Sequence, residues 1–219
     1  MKSRSPLSTR SIVSAAITIA DAKGLTAVTL RGIASRLGVH VTSLYNHVPT
    51  KEAVLEEMTK ALFAETSLPT SKLTWQEWVR QFADEMRSLA RRHPGAFEAF
   101  NHVPAGGERA AETLEAALAA FRADGFDVLA AFNAVKSTFV GVLGLVLDDM
   151  ARLRNPDFQS DLLKLRLDRF PHIQEANSVA GSADTFDYFI RVLIDGLAQH
   201  RVCNEASSRK RRSRAALTK

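Results

Sequence analysis

The sequence predicts an all-α protein, with an N-terminal three-helix helix-turn-helix domain and a larger helical domain behind it. Two observations predict this. Apolar residues recur at helical spacing along almost the whole chain, with few runs of strand-type alternation. Residues 29–51, TLRGIASRLGVHVTSLYNHVPTK, contain two short helical patterns folded around a glycine.

The elements follow in order. A first helix covers about residues 7–23, with Ile12, Val13, Ala16, Ile17 and Ala20 inward and Gly24 as its stop. Residues 25–28 link it to the motif. Leu30, Ile33, Ala34 and Leu37 repeat at helical spacing behind Thr29, a residue able to cap them, and Gly38 supplies the left-handed turn. The next helix, about Val41 to His47, buries Leu44 and leaves Thr42, Ser43, Asn46 and His47 for other work. Leu30, Leu37 and Leu44 are expected in the core. A second helix this short can lie in a major groove while the first braces it, so the stretch is expected to read DNA.

Pro49 stops that helix, and Thr50 caps a fourth over about residues 51–66. Residues 69–73 read as a loop. Trp75, Trp78, Val79, Phe82, Met86 and Leu89 mark an amphipathic helix over 74–93, which Pro94 breaks before a short helix ending near residue 101. After the turn at 104–107, a helix over 108–124 is expected to turn Leu114, Leu118 and Phe121 inward, with Gly125 as its end. Asp127 caps a very apolar helix that runs to about residue 153. A looser stretch holds a helix near 158–169, broken by Pro171, and a last helix covers about 182–200. The tail, 204–219, has no apolar period and reads as disordered. The expected domains are therefore 1–50, 51–203 and the basic tail 204–219.

Composition narrows the function. The single Cys203 excludes an internal disulfide and points to the reducing cytoplasm. The apolar residues 12–20 run on in helical period to Gly24, unlike a signal peptide. Residues 139–147 are apolar but too short to span a bilayer, so no membrane segment is expected. The net charge of +5 is unevenly spread. Residues 1–51 hold seven Lys or Arg against Asp21 alone, and the last eleven residues hold six without an acid, which leaves the middle at −7. A basic head on an acidic body suits docking on phosphates through one end. No P-loop, dinucleotide fingerprint, HExxH or cysteine-rich metal spacing is present, so neither enzyme chemistry, a cofactor nor a metal is expected.

The segment DAKGLTAVTLRGIASRLGVHVTSLYNHVPTKEAVLEEM resembles the amino-terminal domain of the tetracycline-repressor (TetR) family. The stretch WQEWVRQFADEMRSLARRHPGAF, a helix ending ADGF and the long apolar helix resemble that family's helical domain, especially the tetracycline-repressor-like branch. The resemblance implies a homodimeric DNA-binding regulator, generally a repressor, released from a palindromic operator by a small molecule. It places Thr29 and Arg31 where the first motif helix approaches DNA. His40, Val41, Thr42 and Ser43 begin the recognition helix, where Thr42 or Ser43 could bond a base or phosphate and Val41 could touch a thymine methyl. Tyr45 and His47 match positions that steady phosphates, and Asn46, between them, could pair with adenine. Lys51, at a helix start, favours a phosphate.

For the effector, Phe82, Met86, Phe97, Phe100, Leu118, Phe121 and Phe139 are candidates to line an apolar pocket, with Asn101 and His102 beside it. The resemblance puts a metal-ligating histidine near Asn101 and a carboxylate at Asp148, but the other histidine positions do not match, so a tetracycline–magnesium site is not expected. It also implies a four-helix dimer bundle from the helices near 131–153 and 182–200, with Gly141, Gly144, Phe186, Phe189, Ile190, Leu193 and Leu197 contributing. The alternative is a DNA-binding regulator or architectural factor without an effector, its basic tail adding phosphate contacts.

Overall fold

In a computed structural model, residues 7–67, 73–104, 106–154, 169–179 and 185–216 are described. All regular elements among them are helices. The chain divides into two compact units, Met1–Thr70 with Asp84–Ala116, and Ser71–Ala83 with Ala117–Lys219.

In the first unit, α1 spans Thr9–Lys23. Ser8 and Ser11 form a reciprocal capping box: Ser11 N donates to Ser8 Oγ at 3.2 Å, and Ser8 N donates to Ser11 Oγ at 3.0 Å. Ile12, Val13, Ala15, Ala16 and Ala20 are buried, while Ile17 is half-buried at the edge of the stripe. Gly24, at φ 83°, ends the helix, and a 3-10 turn over Leu25–Ala27 leads to the motif.

Helix α2 spans Leu30–Leu37. Thr29 Oγ1 accepts the Gly32 N–H at 3.0 Å, and Gly38 closes the helix in the left-handed region at φ 66°. Its buried residues are Ile33 and Ala34; Leu30 and Leu37, expected in the core, are half-buried because they flank that pair on either side of a two-turn helix. Helix α3 covers Val41–Leu44, with Leu44 fully buried, and is shorter than the expected 41–47. Tyr45 to His47 continue as turns in which His47 N and Val48 N both donate to the Leu44 carbonyl, at 2.9 and 2.8 Å. Pro49 explains this, since it disfavours helical backbone at Val48 and offers no N–H to prolong the ladder.

Helix α4, Lys51–Ala64, is capped by Thr50, whose Oγ1 accepts from Ala53 N at 3.1 Å. Its inner face carries Val54, Leu55, Met58, Leu62 and Phe63. The final turns of α5 (Trp75–Arg92) also lie in this unit, with a 3-10 helix at Ala96–Asn101 and the start of α6 (Glu108–Ala123). Phe100 packs edge-on against Phe63, with ring centroids 6.5 Å apart, and beside Phe97 at 5.2 Å.

In the second unit, Thr74 and Glu77 cap the start of α5 reciprocally. Trp75 stacks on Phe121 at 5.2 Å and meets Phe126 edge-on at 5.6 Å, while its Nε1 donates to Asp124 Oδ2 at 2.8 Å. Along α6 the buried positions are Thr113, Ala117 and Phe121, a four-residue stripe. Leu118 is half-buried and Leu114 is 38% exposed, so the expected inward set was one turn-face off except at Phe121.

Helix α7 runs Val128–Arg154, its first turn capped by Asp127 Oδ1, which accepts from Ala130 N at 2.8 Å. Residues 128–153 are long and apolar enough, by length and composition alone, to cross a bilayer, a test that a packed helix of a soluble protein also passes. Apolar residues continue on both sides of Lys136, beyond the window 139–147. Pro171 opens α8, Pro171–Val179, at the position where a missing N–H costs nothing. The helix expected near 158–169 lies outside the described residues, apart from Arg169. The last helix, α9, spans Thr185–Ala216. It continues past residue 200 into the basic segment, which contains no Gly or Pro after Gly196 and several good helix formers.

Candidate nucleic-acid interface

The reading segment owes its shape to local bonds. Thr29, Gly38 and Thr50 fix the ends of α2 and α4, and buried Leu44 and Val48 peg the turns between them. This leaves one side free. Thr29, Arg31, His40, Thr42, Tyr45, Asn46 and His47 are exposed, and Val41, Ser43 and Lys51 are half-exposed. Tyr45, a large ring, is 52% exposed. Apart from the Thr29 cap, none of these ten side chains has a hydrogen bond or ion pair to another described residue. Donors, acceptors and two cations are thus concentrated on a surface whose backbone is already satisfied. Chemically it can meet alternating phosphates and base edges.

The expected effector residues are distributed over both units. Phe82 and Phe139, in the second unit, lie 4.4 Å apart, and Trp78 stacks on Phe82 at 5.2 Å, with the planes 8° apart. Phe121 belongs to the separate Trp75–Phe126 cluster. Leu118 is half-buried on α6. Met86, Phe97, Phe100, Asn101 and His102 lie in the first unit, where Met86 and both Phe rings are buried, and Asn101 and His102 are exposed. Asp148 pairs with Arg152 at 2.8 Å.

Trp78 is the residue that periodicity alone could not single out. It is 1% exposed, yet its Nε1–H has no hydrogen-bond partner among the described residues. A ring stacked in parallel cannot accept that bond, because the N–H lies in the indole plane. A buried donor left unsatisfied costs about 1–3 kcal/mol and calls for an explanation such as a ligand or water.

The dimer candidates also divide. Phe186 and Ile190 are buried within their own subunit, and Gly141 is covered by Phe189, whose Cζ would lie 2.6 Å from an added Cβ. Leu193 and Leu197 are half-buried. Gly144 and Gly196 face open space, on the same helices as exposed Phe132, Val140, Tyr188 and Val192. The exposed apolar surface of these two helices includes those residues, with Val128, Leu129 and Leu153 near the ends of α7.

Residues 12–58 match the family profile described as bacterial regulatory proteins, tetR family, and residues 68–201 match tetracyclin repressor-like, C-terminal domain. A relative from Saccharopolyspora erythraea, an HTH-type transcriptional regulator, is 39% identical over 59% of this chain and 57% of its own length, under two thirds of that protein. The tetracycline repressor protein class A from transposon 1721 of Escherichia coli is 27% identical over 90% of this chain and 93% of its own. Among solved structures, apo ActR from Streptomyces coelicolor superposes with a TM-score of 0.77 at 22% identity, covering 92% of this chain and 99% of its own. ActR has also been solved with actinorhodin. Mycobacterium smegmatis BioQ, solved with its double-stranded DNA operator, has a TM-score of 0.68 at 24% identity, covering 88% and 99%.

Proposed function

Because the chain belongs to the tetR family of bacterial regulatory proteins, we propose that it is a homodimeric, sequence-specific DNA-binding transcriptional regulator that a small molecule releases from a palindromic operator. The observation that carries this is the reading segment: ten accessible side chains, nine of them with no hydrogen bond or ion pair to another described residue, on a locally capped helix pair. BioQ bound to its operator supports the same use of this fold.

Within the segment, Tyr45, His47, Arg31 and Lys51 hold phosphates and set register. Val41, Thr42, Ser43 and Asn46 face base edges, with Thr29 contributing beside its cap. A dimer places two such segments in successive major grooves, and the operator's palindrome mirrors its two-fold axis. The partner subunit meets α7 and α9, where Phe132, Val140, Tyr188 and Val192 are exposed around open Gly144 and Gly196. Covering this surface in a dimer also accounts for the apolar excess of α7 without a membrane.

The effector contacts the Trp78–Phe82–Phe139 cluster, and its hydrogen-bond acceptor satisfies the Trp78 N–H. The actinorhodin complex of ActR supports a small-molecule role for this fold. Met86, Phe97, Phe100, Asn101, His102, Leu118 and Phe121 remain candidates for further contacts. Effector binding shifts the population toward a dimer whose heads no longer match the operator, by its differential affinity for the two states. The chain acts in the bacterial cytoplasm, on the nucleoid.

The test is retardation of duplex DNA by the purified chain, followed by a compound screen for thermal stabilisation and release. Retardation that a stabilising compound reverses supports the whole reading. Retardation that no compound alters favours a regulator without an effector, and absence of retardation contradicts both.

A further inference from the structure

Among the described residues, a cluster of titratable groups outside the reading segment lies in the first unit. His93, just after α5, stands between two carboxylates. Its Nδ1 is 2.8 Å from Asp21 Oδ2 on α1, and its Nε2 is 3.0 Å from Glu65 Oε2 at the end of α4. The other oxygen of Asp21 accepts the backbone N–H groups of Gly95 and Ala96 at 3.0 and 2.8 Å. Gly95 is pressed against α1 so closely that a Cβ there would lie 1.8 Å from the Ala20 carbonyl oxygen. Helices α1 and α4 bracket the reading segment: one leads into it, and the other starts at Lys51 directly behind α3.

An imidazole with a carboxylate at each nitrogen can donate to both only as the imidazolium. Without that proton, one nitrogen turns a lone pair toward a carboxylate. Asp21 is tied by two backbone donors and its side chain is 24% exposed, whereas Glu65, at 45%, can turn to water. The neutral ring therefore keeps its proton on Nδ1, toward Asp21, and gives up Glu65. Helix α1 stays held and the far end of α4 is let go. Asp21 from α1 and Glu65 from α4 are the charged groups facing the ring. Arg92, on the ring's own helix, is engaged instead with Ser88 at 2.8 Å and Glu85 at 3.3 Å.

We propose that His93 is a positioning residue for DNA binding: as the imidazolium it fastens the far end of α4 to α1, and loss of its proton loosens the helix on which the reading segment is mounted. The proposal rests on the DNA-reading function given above. Burial of the ring opposes the charge, but the hydrogen bonds to Asp21 and Glu65, with their negative charge, outweigh it and raise the imidazole above its ordinary value. Release therefore falls on the alkaline side of an ordinary histidine.

The experiment uses the full chain and a duplex selected for binding from a random pool. Kd is measured from pH 6 to pH 8.5 at fixed salt for the native protein, His93→Gln and Glu65→Gln. Contributions common to all three proteins cancel, so the signal is the difference between profiles. The native Kd should rise about three- to tenfold more across this range than that of His93→Gln, the scale expected for one histidine contact made or lost. Glu65→Gln should flatten the profile as well while still binding at high pH, since its carboxamide can donate to the neutral ring. It also serves as the informative variant if His93→Gln folds poorly, because residue 65 is half-exposed. Superimposable profiles for the three proteins overturn the proposal. A native chain that selects no duplex at any pH defeats the DNA reading itself, and the proposal with it.

Discussion

Three histidines contrast the reading segment with the clasp behind it. His40 and His47 are exposed, with side chains bonded to no other described residue, and His93 is held on both ring nitrogens by carboxylates from two other helices. The residue type is the same, and so is its reference pKa. What differs is whether the fold has already used the side chain. A polar group that the fold leaves unused, on a backbone that needs nothing more, is available to an outside partner. One that the fold consumes on every side can report only on the fold.

That contrast can be broken most forcefully at Gly95. Its φ of −89° is ordinary, so glycine is needed there for space alone. Gly95→Ala sets a methyl against the Ala20 backbone, which cannot step aside as a flexible side chain would. The expected loss is about 3 kcal/mol or more by urea denaturation. In a chain this long that is a fall of roughly 6–12 °C in melting temperature. Unchanged stability would show that the clasp is slack.

Thr29→Ala probes the one reading-segment side chain with both an inner and an outer task. Losing the bond from Gly32 N should cost about 1 kcal/mol of stability. A further loss of DNA affinity, measured on protein confirmed to be folded, separates the contact from the cap. The smallest effect is the pH dependence of stability at His93. Because its folded pKa is raised, its contribution is fully present below the ordinary histidine pKa and is lost as pH rises through the folded value. The melting-temperature gap between native and His93→Gln should accordingly be widest in acid and close in alkali. A gap that widens with pH would reverse the sign and contradict the clasp.

Much of this was legible in the sequence where the cause is local. The caps at Thr29 and Thr50, the glycine stops at 24 and 38 and the period of α5 are each decided within a few residues. The exposed character of 42, 46 and 47 follows from the same spacing. The clasp was not legible, because Asp21 and His93 are 72 positions apart and nothing in either neighbourhood announces the other. Nor was the division between core and partner surface on α9. Phe186 and Tyr188 look alike as apolar aromatics, and only packing against α7 decides that one is 2% exposed and the other 60%. Nor does composition say which buried aromatics share a ring cluster, Phe82 with Phe139 or Phe121 with Trp75.

The central claim is that residues 29–51 meet DNA with side chains divided between backbone and bases. It is tested most directly by titrating the native chain, Lys51→Ala and Asn46→Ala against a selected duplex and its single-base variants at several salt concentrations. Lys51→Ala should weaken every duplex alike and lower the salt slope by about one. Asn46→Ala should relax the preference at one base position by about 1–3 kcal/mol and leave the others in order. A uniform loss from Asn46→Ala, or none from Lys51→Ala, would contradict the assignment of these side chains.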